Sequence, residues 1–254
     1  MSEILRVEHL KKQFGGIVAV DDVSFSIQER KIIGLIGPNG SGKSTLFNII
    51  AGIYPPDSGE VYFKGERITS LPPHEIFKRG IVKSFQIPSL FYTMTVFENF
   101  MIPPREQIGE KLINAPFQFR WAAQEMKFAN DAINLLKFLK LNNLSSDSAT
   151  NLSGGQMKLC EIGRGVMGSP SLMLLDEPAA GVAPYLAKEI FGMILNLRDD
   201  KGITFFIIEH RLEIFLEYVD YIYVMNLGKI VFEGPPKEVI ESPLVKEIYL
   251  GGGK

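Results

Sequence analysis

Eight consecutive residues, Gly37-Pro38-Asn39-Gly40-Ser41-Gly42-Lys43-Ser44, have the make-up of a loop that wraps phosphate. The glycines let backbone N–H groups converge on phosphate oxygens, Lys43 supplies a point charge to the outer phosphates, and the Ser44 hydroxyl can ligate Mg²⁺. An ordinary glycine-rich turn would lack suitable flanks. Here the apolar run Lys31 to Ile36 enters the loop, and Ser44 to Ala51 leaves it with Leu46, Ile49 and Ile50 at helical spacing. A nucleotide phosphate bound with Mg²⁺ is the chemistry this pattern implies.

In Leu172-Met173-Leu174-Leu175-Asp176-Glu177, four apolar residues read as a buried strand that delivers two carboxylates to its carboxyl end, where α/β sheets place their ligands. Asp176 would face the Mg²⁺ shell through water, and Glu177 would polarise the attacking water as general base. Such a pair taken alone is commonly a solvated turn; the phosphate loop favours the catalytic reading. Leu152-Ser153-Gly154-Gly155-Gln156 reads first as a capping box, Ser-x-x-Gln, entering a helix from Met157 to Val166. A helix start with two glycines also offers bare N–H groups, a dipole and a hydroxyl, which makes it a second phosphate-binding surface. One nucleotide has little use for two such surfaces from a single subunit.

A scaffold must position these groups. The 254 residues, 46% hydrophobic, suffice for one large domain or for a core domain carrying a smaller inserted one. Leu5 to Leu10, Val23 to Ile27, Glu60 to Phe63 and Ile81 to Phe85 read as strands, with Pro55 to Gly59 as a turn. Between about residues 87 and 150 the texture is helical, and in Trp121 to Leu141 the apolar residues Ala122, Met126, Ala129, Ile133, Leu136 and Leu139 recur every three or four positions. Alternation of strands and helices resumes with Leu172 to Leu175, Pro184 to Leu197 and Ile203 to Ile208. Tyr221 to Asn226 and Lys229 to Glu233 flank Leu227-Gly228 as a β-hairpin. Buried strands alternating with helices imply an α/β fold with a mainly parallel sheet. The expected domains are a core of residues 1–86 and 151–254 and an inserted helical subdomain of residues 87–150.

A net charge of -2 without long like-charge runs argues against nucleic acid as a partner. The single cysteine, Cys160, excludes an internal disulfide framework, fits a reducing compartment, and reads as a small buried side chain without redox duty. Met1 to Arg6 has no basic region followed by an apolar run, and no stretch approaches the roughly 18 uncharged apolar residues that span a bilayer, so neither export nor membrane spanning is expected. His9 and His74 are given no functional role.

Taken in order, Gly37 to Thr45, Gln86, Leu152 to Gln156, Leu172 to Glu177 and His210 resemble the motifs of the ATP-binding cassette family, and the resemblance covers essentially the whole chain. It implies a phosphate-loop nucleoside triphosphatase core with an N-terminal antiparallel β subdomain and an inserted α-helical subdomain. It implies ATP hydrolysis by a head-to-tail dimer, homodimer or heterodimer, in which Ser153, Gly154, Gly155 and Gln156 close over ATP held by a second ATPase subunit. By the same resemblance Gln86 joins Ser44 and Asp176 at the metal and links it to the transporter, while His210 contacts the γ-phosphate. Phe14, in Gln13-Phe14-Gly15-Gly16, matches the aromatic that stacks on adenine, with a core phenylalanine as the plainer alternative.

Ala183 stands where the family usually has an aspartate that speaks across the dimer, and a methyl group cannot accept a hydrogen bond. Ser84-Phe85-Gln86, Thr95-Val96-Phe97-Glu98-Asn99, Glu177 to Gly181, Ile208-Glu209-His210 and Ile248 to Gly251 look like the ATP-binding subunits of branched-chain amino acid importers. That likeness would place the chain on the cytoplasmic face of the cell membrane with permease subunits and, indirectly, a solute-binding protein. Urea or short amides are alternative cargoes. A lipopolysaccharide-export ATPase shares the ending but has a shorter helical insertion, and soluble cassettes usually carry tandem copies or long coiled coils, which this sequence does not.

Overall fold

The computed structural model describes residues 2–84 and 89–250. It opens with two long strands, β1 (Glu3–Phe14) and β2 (Ile17–Gln28). β3 (Ile32–Ile36) leads through the glycine loop into α1 (Lys43–Ile50), followed by β4 (Ser58–Phe63), β5 (Glu66–Arg67), α2 (Pro73–Arg79) and β6 (Ile81–Lys83). Three helices come next: α3 (Val96–Met101), α4 (Gln118–Phe138) and α5 (Gly154–Met167). The remainder is β7 (Leu172–Asp176), α6 (Pro184–Lys201), β8 (Thr204–Ile208), α7 (Leu212–Phe215), β9 (Tyr221–Asn226), β10 (Lys229–Gly234), α8 (Pro236–Glu241) and α9 (Pro243–Leu250).

These elements form two compact units, residues 1–86 with 171–254, and residues 87–170. The boundary expected at 150/151 therefore lies at 170/171, and α5 belongs with the other helices. Gly163 explains why. A Cβ there would overlap the side chains of Phe100 on α3 and Leu139 just beyond α4. Mid-helix glycine costs about 1 kcal/mol relative to alanine, and the close approach it allows offsets that cost by packing.

In the first unit, a six-stranded sheet runs β10-β9-β3-β8-β7-β6, parallel except where β10 turns back along β9. Every residue of β3, β7 and β8 is buried, as expected for parallel strands covered on both faces. Their carboxyl ends therefore deliver Gly37, Glu177 and Glu209 to one edge of the sheet. A second sheet, β2-β1-β4-β5, is antiparallel. Inward residues Val20, Val23, Phe25 and Ile27 of β2 and Leu5, Val7 and Leu10 of β1 are buried. The two sheets share a core with α1. Phe25 packs against Phe206 at 5.5 Å and Tyr223 at 5.1 Å, and Phe206 packs against Phe47 of α1 at 4.9 Å between ring centroids.

Both strands of the first hairpin are longer than their apolar runs indicate. β1 and β2 extend to Phe14 and start at Ile17, joined across Gly15-Gly16, because backbone pairing continues where the side chains have become exposed. Helices α2, α6, α8 and α9 each begin at a proline, a position where the missing N–H costs nothing. Among the described residues no helix is long and apolar enough to cross a membrane.

Candidate nucleotide and catalytic site

The glycine loop is shaped by backbone that only glycine tolerates. Gly37, Gly40 and Gly42 have φ of 149°, 78° and 103°. A Cβ at Gly37 would run into the Met225 carbonyl, and one at Gly42 into the Ala19 carbonyl, whereas Gly40 faces open space. Two glycines thus seat the loop against β9 and β2, and the third leaves its mouth clear. Helix α1 begins at Gly42 with no side-chain cap and no acidic residue in its first turn. Its leading N–H groups and the positive end of its dipole are left for an outside anion.

Lys43 is buried, and its ammonium donates to the Gly37 and Pro38 carbonyls at 2.9 Å each. The cation is held against the loop it serves. Burial lowers its pKa from the ordinary lysine value, while Glu177 and then Asp176 pull it back up. Asp176, at the end of β7, is also buried; burial raises its carboxyl above the usual range, Lys83 lowers it, Glu177 raises it, and a hydrogen bond with the Ser44 side chain lowers it. A hydroxyl and a carboxylate side by side fit a small hard cation that takes one or two protein oxygens and fills its shell with phosphate and water. No trio of His, Cys, Asp or Glu capable of holding a metal alone occurs among the described residues.

Glu177 occupies left-handed backbone at φ 52°, a conformation that costs a non-glycine residue about 1–3 kcal/mol unless its surroundings impose it. Its N–H donates to the Ile208 carbonyl at 2.9 Å, tying the end of β7 to the end of β8. The turn directs its carboxylate toward His210, with Oε1 3.1 Å from Nε2. Two residues 33 positions apart in sequence thus meet in a pair that can move a proton.

The loops beyond β7 and β8 are held by a residue to which the sequence reading gave no role. Glu209 is 1% exposed, yet both its carboxylate oxygens are engaged: Oε1 accepts from Ala179 N–H at 3.1 Å, and Oε2 from His210 N–H at 2.8 Å and Arg211 N–H at 3.1 Å. Arg211 adds a bond from its guanidinium to the Val182 carbonyl at 2.6 Å. Ser84 acts similarly one strand away, its hydroxyl accepting from Asp176 N–H at 3.1 Å. A charged residue closing the apolar run Thr204 to Ile208 was the available signal for Glu209.

Phe14 is not a core residue. It is 43% exposed at the end of β1, edge-on to Tyr54 at 5.3 Å, with the Lys12 ammonium 5.3 Å from its ring centre. Thr45 lies in the first turn of α1 behind Ser44. Ala183 precedes α6 without a side-chain cap. Gln86 lies outside the described residues. In the helical unit, Ser153 and Gln156 form the expected capping box: Ser153 N–H donates to Gln156 Oε1 at 2.8 Å, and Gln156 N–H donates to the Ser153 hydroxyl at 3.4 Å. Gly154, next to it, has open space where a side chain would stand. Cys160 is buried on α5, and burial pushes its thiol up to about 12, in keeping with an inert packing role.

A parallel sheet whose first inner strand feeds a glycine loop, with paired carboxylates on the neighbouring strand but one, defines a phosphate-loop nucleotide-binding protein. The ABC transporter family profile matches residues 20–180. The chain is 47% identical over 253 residues to a probable branched-chain amino acid transport ATP-binding protein of Methanocaldococcus jannaschii, covering 98% of each. It superimposes on the ADP conformation of an ATP-binding cassette of an ABC transporter with a TM-score of 0.86 and 47% identity, covering 99% of this chain and 100% of that one. A dimeric ATP-binding cassette in a post-hydrolysis state, bound to ADP and Pi, is similar at a TM-score of 0.77 and 25% identity, over 92% of this chain and 99% of that one. The chain belongs to the ABC transporter family, as an ATP-binding cassette with ATPase activity.

Proposed function

We propose that this chain is the motor subunit of a branched-chain amino acid importer, in which two ATPase subunits sandwich two ATP molecules head to tail. The reading is supported by full-length likeness to a protein named for that transport. The observation that carries the chemistry is the Glu177–His210 pair, 3.1 Å apart beyond two adjacent parallel strands and electrostatically coupled through Glu177 to the buried Lys43.

In this reading Phe14 stacks on adenine, residues Gly37 to Thr45 wrap the phosphates, and Lys43 neutralises the outer two. Ser44, Asp176 and Gln86 would hold Mg²⁺, which when bound offsets charge on the phosphate oxygens. Glu177 accepts the proton of the attacking water as its oxygen bonds to the γ-phosphorus, and the bond to the ADP oxygen breaks. His210 Nε2, turned from Glu177, donates to the γ-phosphate. ADP and inorganic phosphate are the products. Ser153, Gly154, Gly155 and Gln156 serve the ATP of the other subunit, so closure of the pair is what hydrolysis reports and what moves the permeases.

Such a motor is a peripheral protein on the cytoplasmic face of the membrane, reached by loaded solute-binding protein only through the permeases. Purified from solubilised membranes, the chain should carry hydrophobic permease subunits with it, and its ATPase in vesicles should rise when a leucine-loaded binding protein is added. Recovery with ribosomes or DNA and no permease would contradict the assignment.

A further inference from the structure

We propose that Glu209 is a positioning residue for hydrolysis, its buried carboxylate setting the register of the His210 loop against the Glu177 loop. The inference rests on the roles just given to Glu177 and His210. A carboxylate is acceptor-only, and this one meets three backbone donors that approach from two loops: Ala179 follows Glu177 by two residues, and His210 and Arg211 follow Glu209 itself. The Glu177 N–H bond to Ile208 and the Arg211 bond to Val182 run between the same two segments. Glu209 sits between them, 1% exposed, where water cannot replace an oxygen it loses.

The 3.1 Å separation of Glu177 and His210 spans these loops, and so depends on how they are tied. A glutamine has the shape of glutamate but one donor end. Glu209→Gln would keep its oxygen toward the two donors His210 and Arg211 and turn its NH₂ onto the Ala179 N–H, donor against donor. That frees the Glu177 side of the tie while leaving the phosphate loop untouched.

The experiment is steady-state ATP hydrolysis by full-length Glu209→Gln beside His210→Ala, with nucleotide affinity and unfolding midpoint measured on each. Misplacing a reacting group by an ångström costs up to about 100-fold, so kcat should fall by about 10- to 100-fold with KM and ATP affinity within about twofold of the parent. Parent-like kcat in Glu209→Gln while His210→Ala is inactive would overturn this proposal alone; parent-like kcat in His210→Ala would overturn the site reading beneath it. Should Glu209→Gln not fold, hydrogen exchange of the parent decides: the amides of Ala179, His210 and Arg211 should exchange slowly and at a common rate, because one opening releases all three, and independent rates would overturn the tie.

Discussion

Helices α1 and α5 both begin at glycine-rich turns, to each of which the proposed function gives a phosphate, and they are built in opposite ways. α1 starts bare: its cap is Gly42, no side chain satisfies its leading N–H groups, and backbone overlap forbids anything larger than glycine at Gly37 and Gly42. α5 starts closed on itself, with Ser153 and Gln156 satisfying each other's backbone and open space at Gly154. The first leaves its leading N–H groups without a side-chain partner, open to the phosphate proposed for it. The second has its leading N–H groups met from within the chain, which suits the intermittent contact with another subunit's ATP proposed for it. Stability and binding are therefore joined at α1 and separable at α5.

Mutations can break this contrast. Lys43→Ala removes the one buried cation of the loop, and a charge-assisted contact of about 3 kcal/mol predicts roughly a 100-fold weaker ATP Kd by fluorescent-nucleotide titration. Gly42→Ala combines φ 103° with overlap on the Ala19 carbonyl and should cost about 2–4 kcal/mol in denaturant unfolding, together with ATP binding. Ser153→Ala loses its cap and should cost about 1 kcal/mol while ATP affinity of the single chain is unchanged. Gly154→Ala should leave stability within about 0.5 kcal/mol and still lower hydrolysis, because its methyl stands where the other subunit's phosphate would come. If Ser153→Ala or Gly154→Ala weakened ATP binding by the isolated chain as much as Lys43→Ala, the two helix starts would not differ in kind.

Much of the site was legible because its signals are local. Continuous apolar runs announced β3, β7 and β8, and the loop and carboxylates sit directly at their ends. The capping box was readable for the same reason, since Ser153 and Gln156 are one turn apart. What escaped depends on distant partners. Glu209 stands in the string Ile208-Glu209-His210, but its task is set by an N–H 30 positions earlier that only the sheet brings near. The left-handed turn at Glu177 is imposed by β8, and glutamate carries no local preference for it. The helical unit continues past residue 150 because α5 packs through Gly163 on Phe100 and Leu139, contacts between residues far apart in sequence that a change of local texture does not mark.

The central claim is that the glycine loop is half of a site completed by the Ser153 turn of another subunit. Glu177→Gln tests it most directly, since it removes the proposed base, expected to slow hydrolysis by at least about 100-fold, while leaving the loop and the turn intact. Light scattering of that variant with ATP and Mg²⁺, alone or with a second ATPase subunit, should give twice the mass of one chain with one ATP bound per chain, and the added change Ser153→Ala should return it to monomer. A Glu177→Gln chain saturated with ATP that stays monomeric under both conditions, or that hydrolyses ATP at the parent rate, would contradict the account.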